Sequence, residues 1–142
     1  MNELRTVTIE RKLAHAPEKV WQALTQPHLI SEWLMNNDFA PKVGHEFKLR
    51  GEWGGVLDCK VLALEPPARL SYTWNCANDD PAYALESVVT FTLTPDGAGT
   101  HLLVEQSGFR PEQKQAYGGA HAGWKEFLAK LDAVLEREPT DQ

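Results

Sequence analysis

The C-terminal stretch at residues 118–137 has the sequence GGAHAGWKEFLAKLDAVLER, and it decides the fold prediction. Its apolar residues recur at three- and four-residue spacing: Trp124, Phe127, Leu128, Leu131, Val134 and Leu135. This spacing puts them on one face of an amphipathic helix, and twenty helical residues span about 30 Å. A surface helix with such a face needs a broad apolar partner. The preceding part of the chain has the pattern of strands that would supply one.

Three glycines lie in this stretch, namely Gly118, Gly119 and Gly123. Each costs a helix interior roughly 1 kcal/mol relative to alanine, so the absence of a side chain should bring some gain. The helix could bend there, pack closely on a sheet, or leave room beneath itself. The sequence leaves these alternatives open.

Length and composition predict one globular domain over residues 1–142, with 42% hydrophobic and 24% charged residues. No apolar run approaches the ~20 residues of a membrane span. The N-terminal residues lack the apolar core of a signal peptide, which predicts a cytoplasmic protein. The sequence does not distinguish a monomer from a weak homodimer.

The net charge is −6, and Lys and Arg form no block that would bind a polyanion. Nucleic acid is therefore not an expected partner. Cys59 and Cys76 are the two cysteines, and a reducing cytosol predicts free thiols. Whether the two are adjacent stays open, because it depends on strand register.

The first strand is predicted at residues 4–13, where Val7, Ile9 and Leu13 share one face with Arg11. Arg11 either reaches out to water at the strand end or places a cation inside a cavity. Ala16-Pro17 then begins a short helix that Pro27 ends, and residues 28–34 form a second one. Trp33, before the loop at residues 35–42, is a core residue or lines a cavity mouth.

From Val43 onward the apolar period changes to two, which indicates strands. They are predicted at residues 43–53, 56–65, 70–75, 85–94 and 100–107, with a polar loop at residues 76–84. Short hairpin connections make the sheet antiparallel. The prediction is an α+β fold, in which a curved six-stranded antiparallel sheet wraps around the long C-terminal helix and two short helices close one end.

Large aromatic side chains should point into the volume between sheet and helix: Phe47, Trp53, Tyr72, Trp74, Phe91, Trp124 and Phe127. Core is the default for any one of them. Several tryptophans facing a glycine-bearing helix favour a hollow that a ligand could occupy.

The chain resembles a known family at several points along its length. The segments are IERKLAHAPEKVWQALTQP, PPARLSYTW, SVVTFTLTPDGAGTHLLVEQSGF, and GW followed by FLAKL. In order and spacing they are similar to proteins related to the C-terminal domain of the heat-shock-protein-90 ATPase activator, within the START-like (SRPBCC) superfamily. The resemblance implies a helix-grip fold with a deep apolar cavity. It also implies diverse duties, including binding of hydrophobic small molecules, polyketide cyclisation and co-chaperone action.

Motifs for metal or covalent chemistry are absent from the sequence. The histidines (His15, His28, His45, His101 and His121) show no zinc-like spacing, and no Cys-x-x-Cys pair occurs. No phosphate loop or nucleophile elbow is found. We therefore expect no metal, no cofactor and no catalytic residue.

Polar groups that could orient a ligand are Arg11, His45, Tyr72 and Gln106. His45 shares strand parity with Phe47, so it faces inward or lies in water at the strand start. Gln106 follows the inward parity of Leu102 and Val104. A buried Tyr72 hydroxyl would need a polar partner.

Three functions are compatible with these features. The first is a module that binds a hydrophobic or aromatic small molecule, since ligand sites are mostly apolar with few polar groups. The second is a polyketide cyclase-like enzyme that uses the same cavity, where shape and positioning could suffice. The third is a co-chaperone-like module that binds a protein, although the activator itself also needs an N-terminal domain.

Overall fold

The structure is a computed structural model, and it describes residues 4–51, 54–77, 79 and 84–137. Ten elements follow one another: β1 (Arg5–Leu13), α1 (Pro17–Thr25), α2 (Pro27–Trp33), β2 (Asn36–Asn37), β3 (Glu46–Arg50), β4 (Val56–Glu65), β5 (Arg69–Cys76), β6 (Leu85–Asp96), β7 (Gly99–Phe109) and α3 (Lys114–Arg137). The predicted α+β helix-grip architecture is confirmed. Trp53 and most of the predicted loop at residues 76–84 lie outside the described residues.

The strands form one antiparallel sheet of seven, in the order β1-β7-β6-β5-β4-β3-β2. The prediction of six strands missed β2, because its two residues lie in the polar segment before β3 and carry no alternation. Asn36 pairs with Arg50 and Asn37 with Leu49. The Asn37 side chain also bonds the carbonyl oxygens of Pro27 and Met35, so it holds this short edge against α2.

The inner face of the sheet alternates as the sequence predicts. On β5, Leu70, Tyr72 and Trp74 are buried as predicted, although Ser71 between them is buried as well. The register of β5 against β6 places Tyr72 beside Val89 and Leu70 beside Phe91. The predicted apolar side of the sheet is thus formed.

The helix α3 covers this inner face with its C-terminal half. Its buried residues are Trp124, Leu128, Leu131, Val134 and Leu135. The predicted stripe is confirmed, except that Phe127 is only half-buried. The helix begins at Lys114, ahead of the stretch at residues 118–137, and Gln113 holds this start in place. Its side chain accepts a hydrogen bond from the Arg110 N–H and donates one to the Ala84 carbonyl.

The short helices α1 and α2 pack against the end of α3. Pro17 and Pro27 occupy the first positions of α1 and α2, where the missing N–H costs nothing. The Trp33 indole N–H donates to the Ala23 carbonyl at 2.8 Å, which joins the two helices. None of the described helices is long and apolar enough to cross a membrane.

Candidate functional site

Eight aromatic side chains meet between the sheet and the helices, and we call them the aromatic cluster. Its members are Trp33, Phe39, Phe47, Tyr72, Trp74, Phe91, Trp124 and Phe127. Neighbouring ring centroids lie 5.1 Å apart for Phe47 and Tyr72, and 5.3 Å apart for Trp74 and Trp124. Such pairs contribute about 0.5–1.5 kcal/mol each beyond the burial of their area.

Trp124 is the centre of this cluster. Its ring contacts Trp74, Phe91 and Phe127, with centroid separations between 5.3 and 5.8 Å. Because it lies on α3 and its neighbours Trp74 and Phe91 lie on the sheet, it joins the two layers. Because the rings pack against one another, they fill the centre of the aromatic cluster, and the opening that Trp33 and Phe127 line lies at its edge.

A chain of hydrogen bonds supports the indole from the sheet side. The Trp124 Nε1–H donates to Gln106 Oε1 at 2.7 Å. The Gln106 Nε2 donates to the Ser87 hydroxyl at 3.0 Å, and that hydroxyl donates to the Trp74 carbonyl at 2.6 Å. Gln106 therefore lies inside the site, as its strand parity indicates, but it is engaged by protein groups.

The other polar candidates lie elsewhere. Arg11 is half-buried, and its guanidinium donates to the Glu10 carbonyl at 2.9 Å, away from the aromatic cluster. His45 lies at the start of β3, where Nε2 is 2.9 Å from the Asp38 carbonyl oxygen and the ring stacks on Phe47. It is half-buried and borders the cluster.

Tyr72 is buried, and its ring contacts those of Phe39, Phe47 and Phe91. Burial raises the pKa of the Tyr72 phenol well above its ordinary value, with a smaller contribution from Cys59. Burial likewise raises the pKa of the Cys59 thiol to about 12. Both groups are neutral at physiological pH, and neither is activated as a nucleophile.

Two members of the site were not predicted from the sequence. Phe39 contacts Phe47 at 5.1 Å and Tyr72 at 6.3 Å between ring centroids. It was missed because it lies in a segment without periodicity. Ser87 was also missed, although its parity with Val89 and Phe91 on β6 is a signal for an inward-facing hydroxyl.

An opening lies at the edge of the aromatic cluster, and we call it the α2–α3 cleft. Its volume is about 290 Å³. It is lined by Ser31, Glu32, Trp33, Leu34, Met35, Asn36, Arg50, Gly51, Phe127 and Lys130. Trp33 and Phe127, both candidates from the sequence, form part of its apolar floor. Of the described residues, those lining the cleft include no group of three metal-ligating side chains.

The charges around the cleft are mostly positive. Glu32 is paired with Arg137, so its charge is compensated. Arg50 and Lys130 are exposed and form no ion pair within the part of the chain that the structure describes. The cleft thus combines an apolar floor with a cationic rim.

A larger recess of about 530 Å³ lies across β3, β4 and β5. Charged side chains (Asp38, Glu46, Lys48, Asp58 and Lys60) make up much of its lining. Lys48 pairs with Asp58, and the Lys48 N–H bonds the Asp38 carboxylate at 2.7 Å, which lowers the pKa of Asp38. We regard the smaller α2–α3 cleft as the candidate site, because two aromatic candidates from the sequence, Trp33 and Phe127, line it, whereas Phe47 is the one that lines the larger recess.

Comparison with known proteins defines the class of this protein. The profile of the family described as Activator of Hsp90 ATPase homolog 1-like protein matches residues 14–136. The chain belongs to this family, which confirms the resemblance found in the sequence. No curated protein matches the chain.

Solved structures of similar proteins agree with this assignment. Protein MLL2253 from Mesorhizobium loti is 64% identical, with 97% of this chain and 100% of that chain covered and a TM-score of 0.92. DynU16, from the dynemicin biosynthetic locus, is 26% identical over 93% of this chain and 47% of its own, with a TM-score of 0.80. Protein BH1534 from Bacillus halodurans is 26% identical over 95% and 99% of the two chains, with a TM-score of 0.79.

Proposed function

We propose that this protein binds a hydrophobic or aromatic small molecule through the α2–α3 cleft. The observation that carries this proposal is the apolar floor of the cleft, which is continuous with the aromatic cluster through Trp33 and Phe127. A ligand ring in the cleft could stack on side chains that are already ordered. The position of DynU16 in a biosynthetic locus supports a natural product or a similar molecule as the ligand class.

The size and the charge of the cleft narrow this class. About 290 Å³ is near the lower end of the range for small-molecule sites, which favours a compact ring system. The unpaired cations Arg50 and Lys130 at the rim favour a ligand that carries an acidic group. The ring buries its apolar surface, while the acid stays near water beside the cations.

Phe127 is half-buried, so its ring is an aromatic group of the cleft that a ligand can reach. A Cβ added at Gly123, one turn earlier on α3, would meet only the Phe127 ring, at 3.9 Å. This is an ordinary van der Waals distance, so close packing does not require a glycine at position 123.

A thermal-shift screen tests the proposal with flavonoids, aromatic polyketides, sterols and fatty acids, while tryptophan emission is recorded. A ligand that binds only the folded state at about 100 times its dissociation constant adds roughly 2.7 kcal/mol. For a domain of this size the melting temperature should rise by about 5–10 °C. Emission should change in the same titration, because Trp33 lines the cleft and Trp124 contacts the Phe127 ring that also lines it.

Lys130→Glu reverses one charge of the rim and should lower the affinity for an acidic ligand by about tenfold or more. Lys125→Glu is the matched control, since Lys125 is exposed on the same helix and does not line the cleft.

A panel without thermal shift or emission change would refute ligand binding. Turnover of a bound polyketide would favour the cyclase alternative. Stimulation of a chaperone ATPase by the pure protein would favour the co-chaperone alternative.

A further inference from the structure

A histidine and two carboxylates from opposite ends of the chain meet outside the α2–α3 cleft. His15 lies in the turn between β1 and α1, against Asp132 and Glu136 of α3, and one ligating atom of each lies within 4.8 Å of the other two. We infer that this set, the His15 cluster, binds a divalent transition-metal ion, with Zn²⁺ as the best fit. The inference is independent of the proposed function.

The distances in the cluster are close to those of a metal site. Zinc binds His nitrogen and carboxylate oxygen at about 2.0–2.2 Å in a tetrahedron, so neighbouring ligand atoms lie about 3.3–3.6 Å apart. His15 Nε2 is 3.0 Å from a Glu136 carboxylate oxygen. The Asp132 carboxylate oxygen lies within 4.8 Å of the His15 and Glu136 ligand atoms. Because Asp132 is exposed, a small rotation of its side chain would bring this oxygen to the spacing of a zinc site.

The cluster is built on ordered elements. The Thr100 hydroxyl, at the start of β7, donates to the His15 carbonyl at 2.6 Å and fixes the turn that carries the imidazole. The His15 side chain is only 13% exposed. Asp132 and Glu136 are four residues apart on α3, so they project from the same side of the helix. Ligands on rigid elements lose little entropy when they bind an ion.

Within the described part of the chain, no lysine or arginine pairs with the carboxylates of the cluster. Glu136 can pair with His15 only when the imidazole is protonated. Asp132 forms no ion pair among the described residues, and like charges at this spacing on a helix repel each other. The helix positions one turn away are apolar: Leu128, Ala129, Ala133 and Leu135. A divalent cation would neutralise both carboxylates and accept the lone pair of a neutral imidazole.

The ligand types select the kind of metal. Magnesium and calcium prefer sites built from oxygen alone, whereas imidazole suits zinc, nickel and copper. Three protein ligands leave a fourth position to water. An ion bound here would connect the last turns of α3 to the turn before α1. Its binding should therefore stabilise the fold against heat.

The test uses metal-free protein and ZnCl₂ in isothermal titration calorimetry and thermal unfolding. We expect one equivalent of Zn²⁺ to bind. At a free Zn²⁺ concentration of ten times the dissociation constant, the melting temperature should rise by about 5 °C. The same concentration of MgCl₂ should have no effect. Co²⁺ should give a spectrum without a thiolate charge-transfer band, which excludes binding at Cys76.

Variants identify the ligands. His15→Asn and Glu136→Gln should each weaken Zn²⁺ binding by at least tenfold, and the double variant should abolish the thermal shift. His28→Asn and Glu126→Gln are the matched controls, since both residues are exposed and lie outside the cluster. The absence of saturable binding at millimolar Zn²⁺ would overturn the inference. Equal binding by the double variant and the unmodified protein would do so as well.

Discussion

Gln106 is the residue through which the sheet holds the helix. Its amide joins the Trp124 indole to the Ser87 hydroxyl, at 2.7 and 3.0 Å, in a region where every partner is buried. A buried hydrogen bond contributes only about 1 kcal/mol, but a donor left without a partner costs about 1–3 kcal/mol. The amide therefore fixes the orientation of Trp124 more than it adds stability of its own.

Replacing Gln106 by Leu should lower the free energy of unfolding by about 1–3 kcal/mol, because the Trp124 N–H loses its acceptor. Urea unfolding measures the change. Glu105→Leu is the control: the adjacent residue lies on the opposite face of β7, where a substitution should stay within about 0.5 kcal/mol. Equal losses in the two variants would contradict the role of the amide.

The two cysteines should differ in reactivity, because Cys59 is buried and Cys76 is half-buried. The raised pKa of Cys59, about 12, keeps it a thiol, and the thiolate is the reactive form. We expect a thiol reagent to modify one cysteine of the native protein quickly and the second only after unfolding. Cys76→Ser should remove the fast phase, and Cys59→Ser should leave it. A fast phase that persists in Cys76→Ser would contradict the assignment.

At the scale of the element, α3 consists of two halves with different tasks. The buried residues of α3 all lie from Trp124 onward, whereas the residues before Trp124 are exposed or half-buried. Gly118 and Gly119 belong to the exposed half, and a Cβ at either would meet nothing within 4 Å. These two glycines are thus not required by close packing on the sheet, which was one of the alternatives from the sequence.

Gly118→Ala and Gly119→Ala should each raise the stability by about 0.5–1 kcal/mol, because alanine loses less backbone entropy in a helix. Gly108→Ala should have the opposite effect. Gly108 has a φ of +131°, and its Cβ would lie 2.9 Å from the Ser87 Cα and closer still to the Glu86 carbonyl oxygen. Thermal unfolding of the three variants gives the comparison. Destabilisation by the two helix substitutions would show that this half of α3 needs its glycines.

The elements that were predicted correctly are those with a repeating pattern. β4 was predicted at residues 56–65 and begins and ends there, and the buried face of α3 follows the predicted spacing. β2 and Phe39 were missed because two-residue strands and single loop aromatics have no period. The His15 cluster could not be found from spacing, since its three side chains come from the two ends of the chain. β2, the position of Phe39 and the His15 cluster depend on contacts between distant parts of the chain, and the periodicity of the sequence does not predict such contacts.

At the scale of the whole molecule, the closed core sets the response of stability to pH. The pKa of Tyr72 is raised well above 10.0, and that of Cys59 is raised from 9.0 to about 12, chiefly by burial in both cases. Unfolding returns both groups to water, where they ionise at their ordinary pKa. Above these values the unfolded state binds fewer protons than the folded state, so stability falls as pH rises.

We therefore expect the free energy of unfolding to be unaffected by these two groups below about pH 9 and to fall above it, by at most about 1.4 kcal/mol per pH unit for each group. Urea unfolding between pH 8 and pH 11 measures the slope. Tyr72→Phe should remove the part that begins near pH 10, and Cys59→Ala the part that begins near pH 9. Tyr117→Phe is the control, since this half-buried phenol borders β1 and not the aromatic cluster. An unchanged slope in the Tyr72→Phe, Cys59→Ala double variant would mean that the core admits water, and the burial of the aromatic cluster would have to be revised.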